Sequence, residues 1–171
     1  MKNFKNYINS HSDFPQKGII FRDTLKILQY PKVFNELIFE MGNTEIIKNA
    51  DAILAIDARG FIFGSAISSK VSKPMVVARK GGKLPGKLIS KEYELEYGKD
   101  KLSIQSNAIA SFNSFAIVDD LIATGGTIKS VIQILESKKK KVTGVVVMVD
   151  LGKKIRQLDI QQSICSIVNF D

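Results

Sequence analysis

One cysteine, Cys165, and one histidine, His11, are all that a chain of 171 residues contains of either type. A lone thiol forms no internal disulfide, and one imidazole with one thiol makes no cluster for a transition metal. A divalent ion would have to rest on carboxylates, water or a substrate. Long hydrophobic runs are missing too. The longest, such as Val145 to Val149, are too short to cross a bilayer, and Met1-Lys2-Asn3-Phe4-Lys5 leads into a polar stretch without an apolar signal core. A cytoplasmic location is expected. Only 4 Pro and 12 Gly occur beside 44% apolar and 25% charged residues, which excludes collagen-like, disordered and disulfide-stapled classes. Neither a repeat nor a linker breaks the pattern, so residues 1–171 are expected to form a single domain.

Acidic residues are outnumbered, 17 against 25 basic ones, for a net charge of +8, and 21 of the basic residues are lysines. That balance suits an anionic partner without choosing among nucleic acid, a membrane surface and a phosphorylated metabolite. The densest run, Lys138 to Lys141, follows the amphipathic stretch Thr127 to Ser137, where cations complement a helix C-terminus. The run therefore reads as a solvated helix end, and neither nucleic acid nor a membrane is expected as a partner.

What the chain does have is an alternation of short apolar runs and helical patterns. Ala52 to Ile56, Met75 to Ala78, Phe115 to Val118 and Val142 to Val149 read as strands. Gly60 to Val71 and Thr127 to Leu135 read as helices between them, and Pro31 to Ile47 as a helix before them. Cys165 to Phe170 reads as a late strand. Strands so uniformly apolar are covered on both faces, which predicts an α/β fold with a mostly parallel, twisted sheet flanked by helices. Residues 1–30 form an N-terminal hood in this reading. Gly81, Gly82, Pro85 and Gly86 interrupt regular structure, and Tyr93 to Tyr97 alternates like a strand, so residues 80–105 read as a flexible β-hairpin flap.

The chemistry is densest at Val118-Asp119-Asp120-Leu121-Ile122-Ala123-Thr124-Gly125-Gly126-Thr127. An apolar strand ends in two carboxylates, and a Thr-Gly-Gly-Thr turn then opens a helix. Glycines let the backbone approach an anion, while Thr hydroxyls and first-turn N–H groups point at it. Carboxylates beside such a phosphate cradle are acceptors for the vicinal hydroxyls of a sugar. Without a ligand, the same residues would be an Asp-Asp helix cap with a tight turn. The spacing matches neither a dinucleotide fingerprint nor a P-loop, because no Lys follows the glycines. A second strand-turn-helix carries Asp57-Ala58-Arg59-Gly60, and the planar fork of Arg59 suits phosphate oxygens.

Together these segments resemble the type I phosphoribosyltransferases, over about Phe14 to Asp150. The resemblance implies that Asp119 and Asp120 hold the ribose hydroxyls of phosphoribosyl diphosphate (PRPP). It also implies that Ala123, Thr124, Gly125, Gly126 and Thr127 wrap the 5′-phosphate. Asp57, Ala58, Arg59 and Gly60 would grip the diphosphate, with a cis peptide between Asp57 and Ala58. Two further stretches are similar to the adenine-specific branch of that family. In Phe14-Pro15-Gln16-Lys17-Gly18-Ile19-Ile20-Phe21-Arg22-Asp23, backbone groups of Ile20 and Arg22 and the ring of Phe21 would meet the purine. Arg79-Lys80-Gly81-Gly82-Lys83-Leu84-Pro85-Gly86, continued by Leu95-Glu96-Tyr97-Gly98, resembles the flap, whose Arg79, Lys80 and Lys83 would also face the diphosphate.

The activity so implied is transfer of phosphoribose from PRPP to adenine, giving AMP and diphosphate in purine salvage, by a homodimer. Mg²⁺ is the implied cofactor, carried by substrate oxygens and water rather than bound directly by the protein. Arg59 would neutralise the leaving group. Where relatives that use 6-oxopurines carry an acid in the phosphate turn, this chain has Ala123, so the acid/base candidate is Glu96 of the flap. Two alternatives stay open at this level: a PRPP-sensing regulator of the same fold that binds nucleic acid through its lysines, and an enzyme for guanine, hypoxanthine or xanthine.

Overall fold

The structure, a computed structural model, describes residues 3–95, 98–152 and 159–170, with the backbone alone at 93–95 and 98–100. A short hairpin of β1 (Asn9–Ser12) and β2 (Ile20–Asp23) precedes α1 (Pro31–Gly42) and α2 (Glu45–Lys48). Next come β3 (Ala52–Ile56), α3 (Gly60–Val71), β4 (Met75–Lys80), β5 (Leu88–Leu95) and β6 (Gly98–Gln105). The described chain ends with β7 (Ser114–Ile122), α4 (Gly126–Ser137), β8 (Lys141–Asp150) and β9 (Ile164–Asn169).

Among the described residues the main sheet has seven strands in the order β5-β6-β4-β3-β7-β8-β9. The pairs β4/β3, β3/β7, β7/β8 and β8/β9 are parallel, and β6 is antiparallel to both of its neighbours. This is the mostly parallel α/β architecture expected. A parallel pair needs a crossover, and α3 and α4 supply it for β3 to β4 and β7 to β8.

The apolar runs are continuous because the sheet has a core on each face. On one side Ile53, Ala116, Val118, Val146 and Met148 meet Val33, Leu37 and Met41 of α1 and Phe63 and Ile67 of α3. On the other, Leu54, Ile56, Phe115, Ile117, Val145 and Val147 meet Ile128, Val131, Ile132 and Leu135 of α4. Neighbours along each strand thus serve opposite cores, as the period of two requires. Burial of each such large side chain contributes about 1.5–3 kcal/mol before entropy is counted. Cys165 packs against the first core, and burial pushes its thiol pKa up, away from reactivity.

Four details differ from the sequence-based expectation. The helix expected over Pro31 to Ile47 breaks at Thr44, which is extended and whose Oγ1 accepts the N–H of Ile47 at 3.4 Å. Threonine is a better helix cap than helix interior, so one helix becomes two. The strand expected to end at Val118 runs on to Ile122, because β8 keeps pairing alongside it, Asp119 opposite Val147 and Leu121 opposite Val149. The β1/β2 hairpin was not anticipated, since its strands are short and largely polar. Finally, the flap is anchored: Leu102 and Ile104 of β6 are fully buried, and β6 pairs with β4 through Arg79 opposite Ser103 and Lys80 opposite Leu102. Of the strand expected at Tyr93 to Tyr97, Glu96 and Tyr97 lie outside the described residues.

Candidate active site

Because β3 and β7 are adjacent and parallel, the loops that follow them emerge side by side at one edge of the sheet. There they line a cleft of about 500 Å³. Asp57, Ala58, Arg59, Lys80, Lys83, Asp119, Asp120, Ala123, Thr124, Gly125 and Thr127 all border it. Leu121, Ile122 and Ile128 also line it and were not singled out from sequence, since apolar residues in a strand or helix look like core.

The phosphate-type turn has the geometry its composition suggests. Gly125 sits at φ +89°, a conformation that favours glycine, and it precedes α4 without any side-chain cap on the helix. The first-turn N–H groups of α4 are thereby left to face whatever enters the cleft. On the other loop, the peptide between Asp57 and Ala58 is cis, at the position that the family resemblance implied.

Glycine at position 60 has a steric cause. A Cβ there would lie 2.8 Å from Oδ1 of Asp119 and 3.0 Å from the carbonyl oxygen of Val118. The N-terminus of α3 can approach β7 only when residue 60 has no side chain. Gly60→Ala is expected to cost about 1–3 kcal/mol of stability through overpacking and to shift Asp119. A melting temperature equal to that of the wild type would contradict this packing.

The two aspartates are not equivalent. Asp120 is 3% exposed; its Oδ2 accepts a hydrogen bond from Thr24 Oγ1 at 2.7 Å and pairs with Arg59 Nε at 3.1 Å. Asp119 is partly exposed and its Oδ1 accepts the backbone N–H of Asp120 at 2.8 Å. Desolvation, followed by the neighbouring charge of Asp120, holds the Asp119 pKa well above its ordinary 3.8. Thr24 lies in the stretch that follows β2, and no local pattern connects it to a carboxylate 96 residues away.

Cations are shared in the same way. Asp57, whose side chain is nearly buried, accepts Arg79 Nε at 3.2 Å and has Lys83 Nζ at 3.8 Å. Arg79 also donates to the Lys83 carbonyl at 3.4 Å and lies 5.7 Å over the ring of Phe61. Arg79 is thus tied to the diphosphate-type loop through Asp57, which borders the cleft. Arg59 pairs with Asp120, yet its Nη1 is buried without a hydrogen-bond partner among the described residues. A buried guanidinium N–H in that position is a donor open to a ligand.

The hood meets the cleft through Phe21, whose ring lies 5.5 Å from the Arg59 guanidinium. Phe14 packs edge-on against Phe21 at 5.2 Å, and both rings line a second cavity of about 500 Å³ with His11, Ser12, Asp13 and Asp23. The Arg22 side chain is engaged elsewhere, with Ser10 and Phe170. Ile20 is half exposed on the hairpin. Gly60 and Gly126 are buried at the starts of α3 and α4. Glu96 lies outside the described residues.

Residues 24–170 match the phosphoribosyl transferase domain family. Adenine phosphoribosyltransferase of Prochlorococcus marinus (strain AS9601) is 56% identical over 151 residues, 88% of this chain and 89% of that one. The crystal structure of adenine phosphoribosyltransferase from Thermoanaerobacter pseudethanolicus ATCC 33223 aligns with a TM-score of 0.88 at 36% identity and covers 98% of both chains. The Saccharomyces cerevisiae enzyme, complexed with D-2,5-dideoxy-2,5-imino-altritol 1,6-bisphosphate and adenine, aligns with a TM-score of 0.85 at 31% identity over 96% of both chains. A likeness that spans both loops, the hood and the sheet between them leaves one conclusion: the chain belongs to the phosphoribosyltransferase family, in its adenine phosphoribosyltransferase branch.

Proposed function

We propose that the cleft transfers the phosphoribosyl group of PRPP to N9 of adenine, giving AMP and diphosphate for purine salvage. The observation that carries this reading is the convergence of the Asp57 to Gly60 loop and the Asp119 to Thr127 segment on one cleft, with the hood ring of Phe21 beside it. In the reaction the bond from C1′ to diphosphate oxygen breaks, a bond from C1′ to N9 forms, and the N9 proton leaves. Charge therefore develops on the departing diphosphate and on an oxocarbenium-like C1′. The uncapped N-terminus of α4, with Thr124 and Thr127, is suited to the 5′-phosphate. Asp119 is suited to the ribose hydroxyls. Asp120, held by Thr24 and Arg59, braces that carboxylate and has an oxygen to offer the sugar as well. Arg59, Lys80 and Lys83 would stabilise the diphosphate as it leaves. Phosphoribosyl transfer from PRPP to adenine, followed with radiolabelled adenine, hypoxanthine, guanine, xanthine and orotate, tests the reading; no AMP from adenine would overturn it.

Mg²⁺ fits this donor set as a substrate-borne ion. Of the cleft carboxylates, Asp57 is engaged by Arg79 and Lys83 and Asp120 by Thr24 and Arg59, so the ion's ligands would be substrate oxygens and water. When bound, the ion would neutralise charge on the diphosphate. A cytoplasmic homodimer completes the proposal. No helix among the described residues is long and apolar enough to cross a membrane.

Asp119 is expected to trade stability for binding. Its folded-state pKa is raised, so the stability that this group contributes is present below 3.8 and lost as pH rises through the folded-state value. Asp119→Asn removes the desolvated charge beside Asp120 and keeps an oxygen for the Asp120 N–H. The ligand-free variant should melt higher than the wild type at neutral pH and show a flatter pH dependence above pH 3.8. PRPP affinity should fall by about tenfold or more, as for loss of a charge-assisted acceptor. Calorimetry showing unchanged PRPP binding would remove Asp119 from the ribose site.

A further inference from the structure

We propose that Phe170, which lies outside the cleft, is a positioning residue for the base-reading hairpin and acts through Arg22. The inference rests on the reading that β2 meets adenine. The Arg22 guanidinium stacks over the Phe170 ring at 4.0 Å from its centroid, and the Lys5 ammonium lies 5.1 Å from the same centroid. Arg22 also donates to Ser10 Oγ, its direct cross-strand partner in β1. Two cations from the N-terminal region thus converge on one aromatic ring near the C-terminus.

The other end of this clamp is the sheet. The Phe170 N–H donates to the Asp150 carbonyl at 2.8 Å, and Asp150 is paired with Ile122 at the end of β7. The Leu151 N–H donates to the Ile122 carbonyl at 3.0 Å, and Ile122 lines the cleft immediately before the phosphate turn. Phe170 therefore ties the strand carrying Phe21 and Arg22 to the strand carrying Asp119 and Asp120. Few other ties of this kind are needed to matter. Each strand of the hairpin has four residues, and a two-stranded ribbon of that size is marginal by itself. Contacts from outside decide how much of the time it holds its shape.

This has a kinetic consequence. A hairpin that is ordered only part of the time lowers the apparent affinity for the base by the ordered fraction. Once adenine is bound the hairpin is ordered, so turnover at saturation is unaffected. PRPP, held on the loops after β3 and β7, does not experience the change.

The test uses Phe170→Leu, which keeps apolar bulk against the core but lacks an aromatic face, and Phe170→Tyr, which restores the face. Phe170→Leu should raise the adenine KM about tenfold with kcat and the PRPP dissociation constant within about twofold, whereas Phe170→Tyr should match the wild type. Amide hydrogen exchange across residues 9–23 should quicken in Phe170→Leu and not in Phe170→Tyr, with β3 and β7 unchanged in both. The proposal is overturned by an unchanged adenine KM, by a PRPP dissociation constant that rises as much as KM, or by unaltered exchange in the hairpin. Failure of the underlying reading looks different. The wild type would then form no AMP from adenine, while the exchange measurement needs no substrate and still decides whether Phe170 holds the hairpin.

Discussion

Adenine is expected to be converted to its nucleotide with a kcat/KM about 10⁴-fold or more above that of hypoxanthine. Adenine presents a donor at C6 and an unprotonated N1, and hypoxanthine presents an acceptor and a donor at the same places. A side chain could rotate to serve both, but backbone groups of a hairpin in fixed register cannot reverse their roles. The hood offers such a fixed surface. Ile20 and Arg22 are in ladder register with Ser12 and Ser10, Phe21 is braced by Phe14, and Arg22 is clamped by Phe170. The wrong base would leave a donor facing a donor inside a partly desolvated site, which costs far more than a missing methyl group. Initial rates with each base at saturating PRPP give the ratio. Comparable turnover of hypoxanthine would refute base reading by the hood and leave the fold and the PRPP site as they are.

Glu96→Gln is expected to reduce the single-turnover rate by about 10²- to 10⁴-fold, the usual range for a general acid/base. PRPP affinity should change by less than about threefold. The expectation rests on the family match of Leu95-Glu96-Tyr97-Gly98 and on the chemical need for a carboxylate to accept the purine proton where Ala123 replaces an acid. The anchoring of the flap supports it. With Leu102 and Ile104 buried and Lys83 drawn to Asp57, the flap starts from a rigid base beside the diphosphate loop. Closure from such a base would exclude water from an oxocarbenium-like centre. Substitution of an outward surface charge would instead cost under about 0.5 kcal/mol in anything measured. Single-turnover measurements with both substrates saturating separate these outcomes, because slow product release could mask a chemical defect under steady-state conditions. An unchanged rate would leave a backbone group or water as the proton acceptor.

Much of this protein was legible along the chain. Ala52 to Ile56 and Gly60 to Val71 could be bounded correctly, because a strand buried on both faces is apolar without alternation and a helix shows its own period. The Asp-Asp and Thr-Gly-Gly-Thr segment disclosed its chemistry because a phosphate cradle must be built from contiguous backbone, so all of its parts are neighbours in sequence. The β1/β2 hairpin was not legible. Its strands are only four residues long and β1 is wholly polar, so neither shows an alternating apolar pattern, and their pairing is stabilised by Arg22 on Phe170, a contact between opposite ends of the chain.

The same distinction governs the charges. Composition determined that no internal disulfide or cysteine-histidine metal cluster could exist, and local pattern determined the α/β class and the two ligand loops. Which carboxylate is braced, and which cations are already engaged, was decided only by the tertiary structure. Asp119 and Asp120 are adjacent, chemically identical and both border the cleft, yet only one of them is nearly buried. Asp120 takes the Thr24 hydroxyl and the Arg59 pair, and Arg79 is engaged by Asp57. Sequence specifies residue types and local conformation, whereas pairing of charges depends on distances of a few ångströms between segments far apart in the chain, and those are set by how the sheet and its cores pack.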